Sequence, residues 1–154
     1  MMKNILNTNN REEIFSRISI LKETDNALWG KMNVNEMLCH IADQVRVAIN
    51  QIKVKDFSNF FTRIIASKLV LFGMPAPKGK VKTFPEIDLE KGNGTKPTSF
   101  ENDRTLLKKI VSDFLEKDSS FNYQAHGAFG PFSREQWGRI IYLHFDYHLK
   151  QFGA

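Results

Sequence analysis

The chain has 154 residues, 42% of them hydrophobic and 25% charged, with a net charge of +5 and a single cysteine, Cys39. That length suits one domain, 1–154, around one core; a lone cysteine excludes an intrachain disulfide, and no apolar run approaches the ~20 residues that span a bilayer. The basic residues are scattered apart from Lys78, Lys80 and Lys82, with no nucleic-acid reading motif, so nucleic-acid binding has no residue support. With no export signal in the opening residues, the expected compartment is the cytoplasm.

A first helix is expected over 11–23, because Asn10 followed by Glu13 forms a capping arrangement and Ile14, Phe15, Ile18 and Leu21 recur at helical spacing. Asn33 and Glu36 cap a second over 34–51, with Met37, Leu38, Ile41, Val45, Ala48 and Ile49 on one side. Cys39 is placed off that stripe, which makes it neither ligand nor nucleophile and leaves oxidation as its only chemistry. The apolar segment 57–72 reads as an extra short helix stopped by Gly73 and Pro75. Its Phe57, Phe60, Phe61, Ile64, Ile65 and Leu69 could meet a membrane surface, a partner subunit or the open end of a bundle, with packing inside the protein expected. Residues 73–98 form a loop rich in proline and glycine, long enough to wall a pocket, in which 81–89 is the one weak strand candidate.

Thr98 and Glu101 open a third helix ending near Lys117, with Leu106, Leu107, Ile110, Val111, Phe114 and Leu115 as its stripe. Ser133 and Gln136 form a capping box for a fourth, and Gly153 stands where a left-handed C-terminal cap belongs. The expected fold is all-α: a four-helix bundle whose long crossover carries an extra short helix between helices two and three. The extra apolar helix also leads to an expected homodimer.

His144 and His148, at i and i+4 in the last helix, share one face with Trp137, while Arg139, Asp146 and Lys150 fall on the opposite side. Burying two imidazoles costs free energy unless each is hydrogen-bonded or ligated, and a metal ion satisfies both. His40, at the margin of the second helix's apolar face, is placed to add a third nitrogen, with Gln44 one turn on as a hydrogen-bonding neighbour. Three ligands with open positions is a catalytic arrangement, whereas two hydrogen-bonded core imidazoles is the bland alternative. No glutamate follows His144, so the zinc-protease motif is absent. Asp146 is read as an ion-pair residue, Trp137 as core or pocket wall, and His126 as a turn residue or a proton donor at the pocket mouth.

The residues Trp29, Gly30 and Met32 before helix two, the mid-helix His40, the turn Phe129-Gly130, the helix start Trp137-Gly138 and the close Leu149, Gln151, Phe152 and Gly153 resemble the DinB/YfiT-like metalloenzyme superfamily across most of the chain. The resemblance implies a bundle holding a divalent metal through His40, His144 and His148. Zinc or nickel is favoured, and iron or manganese is the alternative. It implies thiol S-transfer or hydrolysis of a small molecule, with a low-molecular-weight thiol as cosubstrate. Tyr147 departs from the pattern, standing where a further histidine is common; its phenol could still hydrogen-bond near the site. The alternative reading is a non-catalytic, metal-stabilised bundle acting as a dimerisation or binding module.

Overall fold

The computed structural model describes residues 2–79 and 83–154. Five α-helices account for the fold among them: α1 (Thr8–Ile20), α2 (Val34–Ala48), α3 (Ser67–Phe72), α4 (Phe100–Leu115) and α5 (Arg134–Gln151). No strand is formed by the described residues; the one bridge pairs His126 with Gly130 across a turn. Residues 83–89, the described part of the strand candidate, hold a short 3-10 turn at Pro85–Ile87, and residues 81 and 82 lie outside the described residues.

Local chemistry sets the ends. α1 begins earlier than Asn10 suggests because the Asn7 side chain accepts from the Asn10 backbone N–H, making Asn7 the cap. α2 carries the full capping box between Asn33 and Glu36, and stops short of residue 51 because Asn50 takes φ 64°. Ser99, not Thr98, caps α4; Thr98 instead gives its backbone N–H and hydroxyl to the buried Asp103 carboxylate. Ser133 and Gln136 close their box on α5, and Gly153 takes the left-handed φ of 74° expected of it.

α2 is the central helix, packed on α4 and α5, while α1 and α3 pack on α5. From Val34 to Ala48 only Asn35, Glu36 and Arg46 escape burial. A helix enclosed on several sides buries polar residues too, so Asp43 is fully buried, accepting from the Thr95 backbone N–H at 2.7 Å and the Thr95 hydroxyl at 2.6 Å and pairing with Arg46 at 3.1 Å. That contact ties the long 73–98 connection onto α2. Cys39 is also buried, which corrects its placement off the packed face: α4 covers that side, and burial, with the Asp103 carboxylate next in effect, pushes its thiol up to about 12. Such a thiol is inert rather than oxidation-prone.

The 57–72 segment does form a helix, but its packing reverses the expectation. Helical structure begins at Phe60 and passes through a wide π turn at Thr62–Ala66 before α3, ending on Gly73 with φ 100°. Ser67 is the buried residue of α3, and Val70 and Leu71 pack partly against the core. Phe60 and Phe72 are each 80% exposed, and Phe57, Phe61, Ile64, Ile65, Leu69 and Met74 face solvent with them. None of the helices is long and apolar enough to cross a membrane.

Candidate metal centre

His40 comes from α2, and His144 and His148 come from successive turns of α5. Their rings meet edge to face, with centroids 4.5 to 4.9 Å apart. His144 Nε2 lies 3.0 Å from His40 Nε2 and 3.0 Å from His148 Nε2. His40 and His148 are buried, and His144 is partly buried as a residue with its Nδ1 sealed from solvent. The spacing is close to the ~3.3 Å between two nitrogens on one tetrahedral ion at ordinary Zn–N bond lengths. The three residues could hold a metal ion, and among the described residues no further histidine, cysteine or carboxylate joins their group.

The proton positions favour that use. Gln151 Nε2 donates to the Trp29 carbonyl at 2.6 Å, which turns Gln151 Oε1 to His148 Nδ1 at 2.8 Å. An amide oxygen only accepts, so His148 carries its proton on Nδ1 and offers the Nε2 lone pair to the cluster. His144 Nε2 has one proton at most for two neighbours, so the three rings cannot satisfy one another by hydrogen bonds alone. Two further polar atoms, His144 Nδ1 and Gln44 Oε1, are buried without partners. Protonation of His144 on Nδ1 is the form that leaves its Nε2 free to ligate.

Burial holds the imidazoles neutral. It pushes His40 down to about 3, with the neighbouring His148 adding to the effect, and pushes His148 down to about 4, the Gln151 contact opposing. Burial, reinforced by His148 and His40, also holds His144 well below the usual histidine range. Neutral imidazole is the ligating form.

Family comparison agrees with these residues in extent only. A family model described as Protein of unknown function (DUF1569) matches residues 1–154. The chain belongs to the DUF1569 family. No curated protein and no solved structure matches it.

Around the centre of this DUF1569 chain, Tyr147 lies edge-on to His148, with ring centroids 5.1 Å apart. Its hydroxyl accepts from Trp29 Nε1 at 3.3 Å and from the Gly79 backbone N–H at 3.0 Å, so the 73–98 connection does reach the region of the histidines. Lys78 Nζ sits 4.5 Å over the Trp29 ring. The sequence reading names Trp29 and Gln151 in its motifs but gives them no role at the site, although Gln151 stands at i+3 from His148, the spacing that identifies such partners.

The remaining candidates have contacts of their own. His126 stacks on Phe129 at 4.7 Å, with Phe84, Phe132 and Trp137 around it, and its backbone pairs with Gly130. The Ala128 N–H donates to His126 Nδ1 at 3.3 Å, leaving Nε2 to carry the proton of the neutral ring, and burial pushes its pKa down to about 4. Trp137 is fully buried and donates its Nε1–H to the Gln124 carbonyl at 3.0 Å. Asp146 pairs with Arg17 of α1 at 2.8 Å and with Lys150 at 2.7 Å, the interhelical role its position implied.

Proposed function

We propose that this protein is a divalent-metal-dependent enzyme of the DinB/YfiT-like kind. In that reading α1, α2, α4 and α5 form the four-helix bundle and α3 sits in its crossover. The reaction is thiol S-transfer or hydrolysis of a small molecule. The observation that carries the reading is the convergence of three imidazoles from two helices, with no fourth protein ligand among the described residues. A three-ligand set leaves positions for water or substrate, whereas structural zinc sites close with four. A divalent ion held by His40, His144 and His148 would supply Lewis acidity that lowers the pKa of a water or thiol; imidazole donors suit zinc or nickel first, with iron or manganese as alternatives.

The chain's own residues supply orientation. Gln151 fixes the His148 ring and is itself held by the Trp29 carbonyl. Tyr147 accepts two hydrogen bonds, so its own O–H remains free to donate to a bound group. Metal analysis of untagged protein and of His40→Ala, His144→Ala and His148→Ala tests the site: wild type retains a near-stoichiometric metal and each variant loses most of it. Equal metal content in all four would refute the centre. Thiol-transfer and ester or amide hydrolysis screens on the loaded protein then test the chemistry; retained metal with no metal-dependent turnover would leave it a structural ion in a binding module.

A further inference from the structure

The helix running from Phe60 to Phe72 exposes more apolar surface than an isolated monomer carries. Phe57, Phe60, Phe61, Ile64, Ile65, Leu69, Phe72 and Met74 are 45 to 80% exposed. At about 200 Å² for each fully exposed large side chain, they present roughly 900 Å² of apolar surface, against about 300–600 Å² for the largest patch on a typical monomer. The two most exposed rings, Phe60 and Phe72, stand at the two ends of this helix.

Charge identifies the occupant. Residues 53–79 hold five basic side chains, Lys53, Lys55, Arg63, Lys68 and Lys78, and one acid, Asp56, a net +4 out of the chain's +5. Asp56 is already engaged by Arg63 and Ser58. Lys68 lies within the apolar face, one turn before Phe72, and has no ion-pair partner among the described residues. Pairing two copies through this face would bring the cations of one copy towards those of the other. An anionic lipid surface matches both the exposed apolar side chains and the cations among them, since aromatic and aliphatic side chains enter the headgroup boundary while lysines snorkel to the phosphates.

We propose that the 57–74 segment docks the protein on an anionic lipid bilayer, lying in the interface without crossing it. This rests on none of the three histidines and stands or falls independently of the metal reading. The experiment is co-sedimentation of the full chain with vesicles of phosphatidylcholine alone and of phosphatidylcholine with 30% phosphatidylglycerol, alongside sedimentation velocity of the lipid-free protein. The protein is expected to bind the anionic vesicles, to bind neutral ones at least tenfold more weakly, and to be released by salt. Lys68→Glu lowers anionic binding at least about fivefold, by the attraction each basic residue adds near such a surface. Phe60→Ser with Phe72→Ser abolishes it with helicity unchanged, because both rings are in solvent. Equal binding to both vesicle types, no binding to either, or a dimer dissolved by the two serine substitutions in a protein that ignores vesicles would each overturn the proposal.

Discussion

Lowering the pH of the metal-free protein tests whether four imidazoles are buried in the neutral form. Free in the unfolded chain, histidine titrates near 6.5. In the folded chain burial holds His40 at about 3, His126 and His148 at about 4, and His144 well below the ordinary value. These are bases with depressed folded pKa values, so their stabilising effect is complete above 6.5 and is lost as the pH falls from there towards 4, because the unfolded state takes up protons that the folded state refuses. At pH 5.5 each group has lost on the order of 1 kcal/mol relative to pH 7.5, and the four together several kcal/mol, comparable with the ~5–15 kcal/mol total stability of a domain. Urea unfolding followed by circular dichroism, in chelator at pH 7.5, 6.5 and 5.5, reads the difference directly. His126→Phe, which keeps an aromatic ring in the cage of Phe84, Phe129, Phe132 and Trp137, is expected to reduce the loss by about a quarter. A loss below about 2 kcal/mol between pH 7.5 and 5.5 would refute the buried, neutral assignment.

Three further outcomes follow from particular contacts. Gln151→Leu strips His148 Nδ1 of its acceptor and is expected to weaken metal binding about 10- to 100-fold, measured by competition with a chromogenic chelator; unchanged affinity would show that the amide does not orient the ligand. Asp43→Ala leaves Arg46 and the Thr95 N–H without their buried partner and is expected to cost about 3 kcal/mol in urea unfolding, with proteolysis in the 73–98 connection as its local signature. Gly30→Ala places a methyl 2.6 Å from Gln151 Nε2 on a residue with φ 81°, so both stability and metal affinity are expected to fall, by about 1–2 kcal/mol and several-fold, in the same chelator and urea assays.

The features legible in the sequence were the locally encoded ones. Asn33 with Glu36 and Ser133 with Gln136 announce their helices because a capping box lies within four residues, and His144 with His148 share a face because i and i+4 always do. His40 was harder: a wheel placed it at the edge of an apolar stripe, and only the packing of α4 and α5 around α2 makes that edge interior. The same enclosure explains why Cys39 and Asp43 were misplaced or passed over. Their burial depends on which helix covers the second face, and periodicity along one helix does not carry that. The exposed Phe60 and Phe72 show the converse, an apolar pattern that the fold leaves uncovered.

The contacts of Trp29 make the protein its own optical sensor. The chain has two tryptophans, and they report on different places. Trp137 is sealed in the core, whereas Trp29 is half-buried, lies under Lys78, donates to Tyr147 and has its carbonyl held by the amide that orients His148. Iodide can reach one indole and not the other. A Trp137→Phe background therefore isolates the Trp29 emission, whose wavelength and quenching are expected to change on addition of a metal that the histidine cluster binds, with no label added to the chain.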